Sequence, residues 1–270
     1  MARPSRPEIA ATVAILTLTV TASVSGLVRE SHYVESGFEL LRLQAQDAVL
    51  LVIGVPVLAI GLWLAARGSL RGRLMWVGSL AFMTYMWTHY AFVVAYNDFF
   101  LGYVALFALS VFTLISGVVT TDATRIADAV GDEASTRLYV GFLGMAALGL
   151  ALMWLFDIIP ALLANEIPSG IAQFGPEAAH TYVVDLGVLV PSLAIGAVWL
   201  SQRRPWGYVC AGVLLVFAAL VAPTLTAITL IDIRGDVAIS APILVGTIVP
   251  PLVGLIVAGA YLRRLTEGHA

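Results

Sequence analysis

Long uncharged apolar runs alternate along the chain with short stretches that hold nearly all of its charge. Crossing about 30 Å of hydrocarbon as a helix takes roughly 20 apolar residues. Eight windows approach that length, at 9–28, 48–66, 74–96, 99–119, 138–157, 181–200, 206–230 and 241–262. Strands of a membrane barrel alternate polar and apolar residues over about ten positions, and these windows do not. The pattern predicts an all-α membrane protein of eight transmembrane helices, one integral membrane domain over residues 1–270.

The stretches between windows carry their own patterns. From Arg29 to Gln46, Val34, Phe38, Leu41 and Ala45 recur at helical spacing beside Glu35, Glu39, Arg42 and Gln46, which predicts an amphipathic helix on the outer membrane surface. The connection Thr120–Thr136, with Asp122, Asp128, Asp132 and Glu133, reads as a solvated loop. Pro160, Pro168, Gly170, Gly175 and Pro176 forbid one continuous helix over 160–179. Arg3 and Arg6 followed by an apolar run also fit a secretory signal, but that run is about 20 residues against 7–15 for a signal core, which favours a retained helix. Pro250-Pro251 in the last window predicts a local distortion.

Two windows resemble each other. Pro56-Val57-Leu58-Ala59-Ile60-Gly61 matches Pro191-Ser192-Leu193-Ala194-Ile195-Gly196, and a tryptophan and an arginine-rich turn follow each. The expectation is two parallel four-helix repeats, 1–120 and 137–265, about an axis along the membrane normal; chance recurrence of common membrane residues is the alternative.

Composition narrows the function. Hydrophobic residues make up 60% and charged residues 11%, with mean hydropathy +0.95, against about 25% charged in soluble domains. All 14 basic residues are arginine, so no lysine amine exists for a retinal Schiff base. A net charge of −3 gives no support to nucleic-acid binding, and the single Cys210 excludes an intrachain disulfide. With the N-terminus inside, Arg3, Arg6, Arg67, Arg71, Arg73, Arg125, Arg137, Arg203, Arg204, Arg263 and Arg264 are cytoplasmic, and Arg29, Arg42 and Arg234 are outside. That bias predicts a plasma-membrane protein with both termini in the cytoplasm.

Ionisable groups at membrane depth are costly and each needs a reason. Tyr85, His89, Phe92 and Tyr96 form one helical stripe that ends in Asn97 and Asp98, with His89 about 10 Å below the outer surface. Asp157 ends the fifth window, His180 opens the sixth, and Asp185 lies about one and a half turns inside it. Asp47 and Asp232 flank the second and seventh. No window carries a charge in its inner half away from its end, so the expected shape is a polar pocket open to the outside.

His89 reads as a metal or haem ligand, a proton carrier or a ligand partner, or else as a buried histidine satisfied by a neighbouring carbonyl or tyrosine. Asp185 reads as a cavity carboxylate or as one favoured by a helix start. The hydroxyls Thr12, Thr19 and Ser23 of the first window favour close helix packing. No phosphate loop, hydrolase elbow, zincin helix or dinucleotide fingerprint is present, so no cofactor is specified.

At Tyr96-Asn97-Asp98-Phe99-Phe100-Leu101-Gly102-Tyr103-Val104-Ala105-Leu106-Phe107 and Arg203-Arg204-Pro205-Trp206-Gly207-Tyr208 the chain resembles a set of uncharacterised prokaryotic multi-pass membrane proteins. The resemblance implies a membrane location and carries no activity. The leading expectation is a protein that binds or transports a small solute or ion, through a pocket of Tyr85, His89, Tyr96, Asn97, Asp98, Asp157, His180 and Asp185. A cofactor-binding membrane enzyme or redox subunit, and a ligand-free assembly partner, are the alternatives. Besides the lipid bilayer, the sequence names no partner and sets no oligomeric state.

Overall fold

The computed structural model describes residues 3–131, 133–235 and 241–265, apart from the side chains of 133–135, 174, 241–247, 250 and 251. Every element among them is helical: α1 (Arg6–Val28), α2 (Gly37–Val49), α3 (Val55–Ala66), α4 (Leu70–Phe92), α5 (Phe100–Val119), α6 (Ala123–Val130), α7 (Glu133–Ala164), α8 (Ser169–Phe174), α9 (Ala179–Val184), α10 (Val190–Ser201), α11 (Pro205–Arg234) and α12 (Ala241–Arg264). Among the described residues six continuous helical segments are long and apolar enough to cross a membrane: Arg6–Val28, Gly37–Ala66, Phe100–Val119, Thr136–Ala164, Pro176–Ser201 and Pro205–Arg234. They leave large apolar side chains uncovered, among them Val52, Phe112, Met145, Leu162 and Val188. In water such a surface would drive aggregation, whereas lipid satisfies it.

Several boundaries differ from the sequence pattern. Residues 37–49 are not a separate surface helix. They run without a break through a π turn, Leu50–Gly54, into α3. Pro56 lacks an amide and its ring crowds the carbonyl four residues back. Widening the preceding turn, so that the Val55 amide donates to Leu50 O, makes room for it. The same solution occurs before Pro191, where Asp185–Leu189 is a π turn closed by the Val190 amide donating to Asp185 O. The stretch 120–136 is not only a solvated loop: Asp122 caps α6, whose Ile126 and Val130 are buried. Helix α7 passes straight through Pro160 and ends at Asn165, which has a left-handed φ of 55°. At Pro250-Pro251, where a distortion is expected, α12 runs on as one helix from Ala241 to Arg264.

The chain divides into two compact units, residues 1–131 with 212–270, and residues 132–211. In the first, α4 packs against both α3 and α5, and α1 covers α5 and α2. Helix α4 has too many polar and aromatic residues to rank with the six apolar segments, and the packing explains why it tolerates them. Fourteen of its 23 residues are buried, including Arg73, Trp76, Trp87 and Tyr90. A helix enclosed by protein needs no lipid-facing stripe. Where it meets α3 the side chains vanish: a Cβ on Gly72 would come within 2.5 Å of the Ala65 amide nitrogen. In the second unit α7 runs along α10, and a Cβ on Gly207 would lie 2.5 Å from the Trp199 carbonyl carbon.

Polar groups in the first unit gather in two layers. One, at the end that carries Arg67, Arg71 and Arg73, contains Glu8 at the start of α1. The other, at the opposite end, contains Asp47 packed on Gly26 near the end of α1. Eighteen residues of helix separate Glu8 from Gly26, about 27 Å and close to the hydrocarbon thickness of a bilayer.

Candidate functional site

Two tyrosines and one carboxylate make the centre of the layer near Gly26. Asp47 is fully buried. Tyr33 Oη donates to its Oδ2 at 2.5 Å and Tyr90 Oη donates to its Oδ1 at 3.2 Å. The segment joining α1 to α2 delivers Tyr33, the last turn of α4 delivers Tyr90, and Gly26 supplies the space into which the Asp47–Tyr33 pair fits. Among the described residues no arginine or histidine forms an ion pair with Asp47.

Aromatic rings wall this carboxylate. Tyr90 lies 4.9 Å from Trp87 and 5.4 Å from Tyr103, and Trp87 is stacked on Tyr103 at 6.0 Å. His32 Nε2 and Tyr103 Oη share a hydrogen bond of 2.9 Å. Burial and the nearby Arg29 hold the His32 imidazole below its ordinary value, and burial pushes the Tyr33 phenol well above its own. The indole Nε1 of Trp87 and the amide Nδ2 of Asn97 are buried and meet no acceptor. Buried donors without acceptors leave hydrogen-bonding capacity for a small guest.

The second unit has its own carboxylate cluster. Asp185 is buried at the start of the second π turn and accepts from Trp154 Nε1 at 2.9 Å. The Trp154 ring lies 4.2 Å from that of Tyr182, and Tyr182 Oη donates to Asp157 Oδ2 at 2.6 Å. Asp157 also accepts from Ser169 Oγ at 2.6 Å and from the amides of Ser169 at 2.9 Å and Gly170 at 3.2 Å. Four donors saturate Asp157. It fastens the chain after α7 back onto that helix.

The eight residues expected to form one pocket therefore divide. Tyr85, His89, Tyr96, Asn97 and Asp98 belong to the first unit and Asp157, His180 and Asp185 to the second. Asp157 and Asp185 are brought together through Tyr182 and Trp154, while His180 is half-buried at the start of α9. Tyr85 is half-buried and packs edge-on against Phe217 at 5.5 Å. Helix α4 ends at Phe92, so Tyr96 leaves the predicted stripe and is 80% exposed. His89 then lies three residues before the helix end, about 4.5 Å along its axis. Its neighbour Tyr90 takes the position facing Asp47. The helix stops where the Ala95 amide turns to Glu35 and Asn97 Oδ1 accepts from the Phe99 amide. Asn97 is buried beneath that turn, and Asp98 forms an exposed ion pair with Arg29 at 2.9 Å.

A further cluster lies at the arginine-rich end. Arg73 is fully buried, with Nε donating to Thr121 Oγ1 at 3.0 Å and Nη2 to Gly117 O at 2.7 Å and Thr120 Oγ1 at 2.5 Å. Thr120 and Ser116 donate in turn to Glu8 Oε1 at 3.1 and 2.8 Å. Glu8 also closes the cap of α1 with Ser5. Reading Arg73 as a loop residue missed this, because α4 begins at Leu70 and draws it inside. Among the described residues no group of three or more His, Cys, Asp or Glu is arranged to hold a metal ion.

Compared with protein-family models, curated proteins and solved structures, the chain matches none.

Proposed function

We propose that the protein spans the plasma membrane eight times, with both termini in the cytoplasm, and binds or carries a small cation or a proton-coupled solute at its outer side. Helices α4 and α12 complete the eight spans. The buried carboxylates Asp47 and Asp185 are the exchanging groups, and Trp87, Tyr90 and Tyr103 orient the guest. The observation that carries this reading is Asp47: a carboxylate with no exposed surface, held by two neutral phenols and paired with no cation among the described residues. Burying such a group as a bare anion is costly, so it holds a proton or a bound cation, and exchange of one for the other is the chemistry it offers. The π turn beside each carboxylate supports the same reading, since widened turns of this kind recur at functional sites. We read the two π-turn segments as corresponding parts of two parallel repeats.

The test is uptake by sealed vesicles containing the purified chain, with internal dyes for protons and for sodium or potassium, followed across an imposed gradient. Asp47→Asn and Asp185→Asn are expected to abolish flux while the protein stays helical, and His89→Ala to leave it near the parent. Unchanged flux in both carboxamide variants removes the assignment.

A further inference from the structure

A cavity of about 270 Å³ lies between α1 and α5 at the end of the first unit that carries Arg73, and Glu8, Thr113 and Ser116 are among its walls. From there three buried stripes run toward Asp47. On α1 the stripe passes through Thr12, Thr19 and Ser23 to Gly26. On α4 it runs from Trp76 through Ser79 and Met83 to Tyr90, and on α5 from Gly117 through Thr113 and Ser110 to Tyr103. The stripes face one another at both ends. Near the cavity Trp76 Nε1 donates to Thr12 Oγ1 at 3.1 Å, and a Cβ on Gly117 would lie 3.3 Å from the Trp76 ring. At the far end Tyr90 meets Asp47, which packs on Gly26, and Trp87 stacks on Tyr103. The middles of the stripes are therefore enclosed between the three helices.

Thr19, Ser79 and Ser110 lie in that enclosed stretch with no exposed surface, and among the described residues none of their hydroxyls meets a hydrogen-bond partner. Serine and threonine in helices commonly satisfy themselves on the carbonyl four residues back. Two exposed hydroxyls of α1 do so, Thr17 donating to Val13 O at 3.0 Å and Thr21 to Thr17 O at 2.9 Å. Thr19, between them on the same helix but turned inward, does not. Ser23, one turn further along, adjoins Asp47 as a hydrogen-bond neighbour. Buried hydroxyls without protein partners are costly unless water completes them.

We infer that Thr113, Ser110, Ser79, Thr19 and Ser23, joined by water molecules, form a proton path between the Glu8 cavity and Asp47. The path rests on the reading of Asp47 as an exchanging group and adds the route by which its proton arrives. Counted from Glu8, and on α5 from the Ser116 that bonds to it, Thr113 lies at about 4.5 Å along the helix axes, Ser110 at about 9 Å, Thr19 at about 16.5 Å and Ser23 at about 22.5 Å. Ser79, three residues beyond the Trp76 that bonds Thr12, lies at about 10.5 Å. Successive levels differ by about 6 Å at most, which one or two waters bridge. Each hydroxyl or water accepts a proton from one neighbour and releases its own to the next, so only O–H bonds form and break. One proton leaves the Glu8 end for each that reaches the Asp47 carboxylate, and no further reactant takes part.

The full chain in lipid nanodiscs and in sealed vesicles tests this with two readouts. Brief X-ray irradiation of the nanodiscs makes hydroxyl radicals from bound water, and mass spectrometry shows which side chains they oxidise. Leu106 lies on the α5 stripe, whereas Leu74 faces Gly212 of α11, and neither has exposed surface. Leu106 should be labelled and Leu74 not. Thr19→Val and Ser110→Ala, which nearly keep side-chain shape, should each lose most of the Leu106 label and most of the proton flux into vesicles. Thr17→Val, which alters only an exposed, self-bonded hydroxyl, should match the parent in both. Equal labelling of Leu106 and Leu74, or parent flux in Thr19→Val and Ser110→Ala while Asp47→Asn abolishes it, overturns the path and leaves the Asp47 assignment standing. Flux lost in those two variants but kept in Asp47→Asn supports the hydroxyl route and overturns the Asp47 assignment. A parent that moves no protons overturns both.

Discussion

Gly26→Ala tests the core of the first unit, because two effects of opposite sign meet at that position. In a helix interior alanine is better than glycine by about 1 kcal/mol. The added methyl, however, would collide with Asp47 Oδ2 and lie 2.7 Å from Tyr33 Oη. Overpacking of this kind costs about 1–3 kcal/mol. Displacing Oδ2 also breaks the Tyr33–Asp47 hydrogen bond, which is worth about 0.5–1.5 kcal/mol with a protonated, neutral acceptor. The collision outweighs the propensity gain, for a net loss of about 0.5–3.5 kcal/mol. Detergent-solubilised protein titrated with a denaturing surfactant and followed by circular dichroism reads this directly. The decisive measurement is the cycle with Asp47→Ala, in which the bond is already absent and the penalty of Gly26→Ala should shrink by at least about 0.5–1.5 kcal/mol. Additive effects, or a Gly26→Ala protein as stable as the parent, would refute the close approach of α1 to Asp47.

In the second unit, Trp154→Phe keeps the ring against Tyr182 but removes the donor to Asp185, and should cost about 1.5–3 kcal/mol in the same titration; no loss would mean that Asp185 does not depend on the indole. Gly207→Ala, whose methyl meets the Trp199–Leu200 backbone, should cost about 1–3 kcal/mol, whereas Gly144→Ala, which meets nothing, should be neutral or gain up to about 1 kcal/mol. Equal effects at the two glycines would refute the packing of α11 onto the end of α10. His32 is held below its ordinary value of 6.5, so the fold favours the neutral ring. The stability this confers is complete above pH 6.5 and is lost as the pH falls through that value toward the folded-state pKa. Melting temperatures measured from pH 8 to pH 5 should therefore fall less for His32→Gln than for the parent, and parallel curves would count against the assignment.

The all-helical fold and its six longest apolar segments are legible from hydrophobic run length alone, since lipid imposes a uniform requirement on any segment that faces it. Helix α4 shows where that logic stops. Its buried face contacts protein, and its arginine, tyrosines and tryptophans are placed by partners distant in sequence. The likeness of the segments beginning at Pro56 and Pro191 was visible as a motif, but the π turns before them were not, because an apolar run has the same composition whether a turn holds four residues or five. Asp157 and Asp185 stood out as charges inside apolar runs. Tyr33, Tyr90 and Tyr103 did not, since a tyrosine near a membrane surface is ordinary, and only the fold distinguishes those that meet a carboxylate. Asp47 read as a helix-flanking charge because the helix was taken to begin beside it rather than ten residues earlier, at Gly37.

The π turn at Leu50–Gly54 also sets how this helix responds to deletions and insertions. Losing one residue there would restore ordinary α pitch and leave the helix unbroken, so the backbone could heal. Because the wide turn holds one residue more than an α turn, the half that carries Asp47 and the half that begins at Pro56 would keep their facing, and what is lost is the room for the Pro56 ring. The carboxylate would stay against its phenols. A single-codon loss in this stretch would thus disturb the polar face less than the same loss in the α-helical stretches on either side, where each residue removed turns the helix by about 100°.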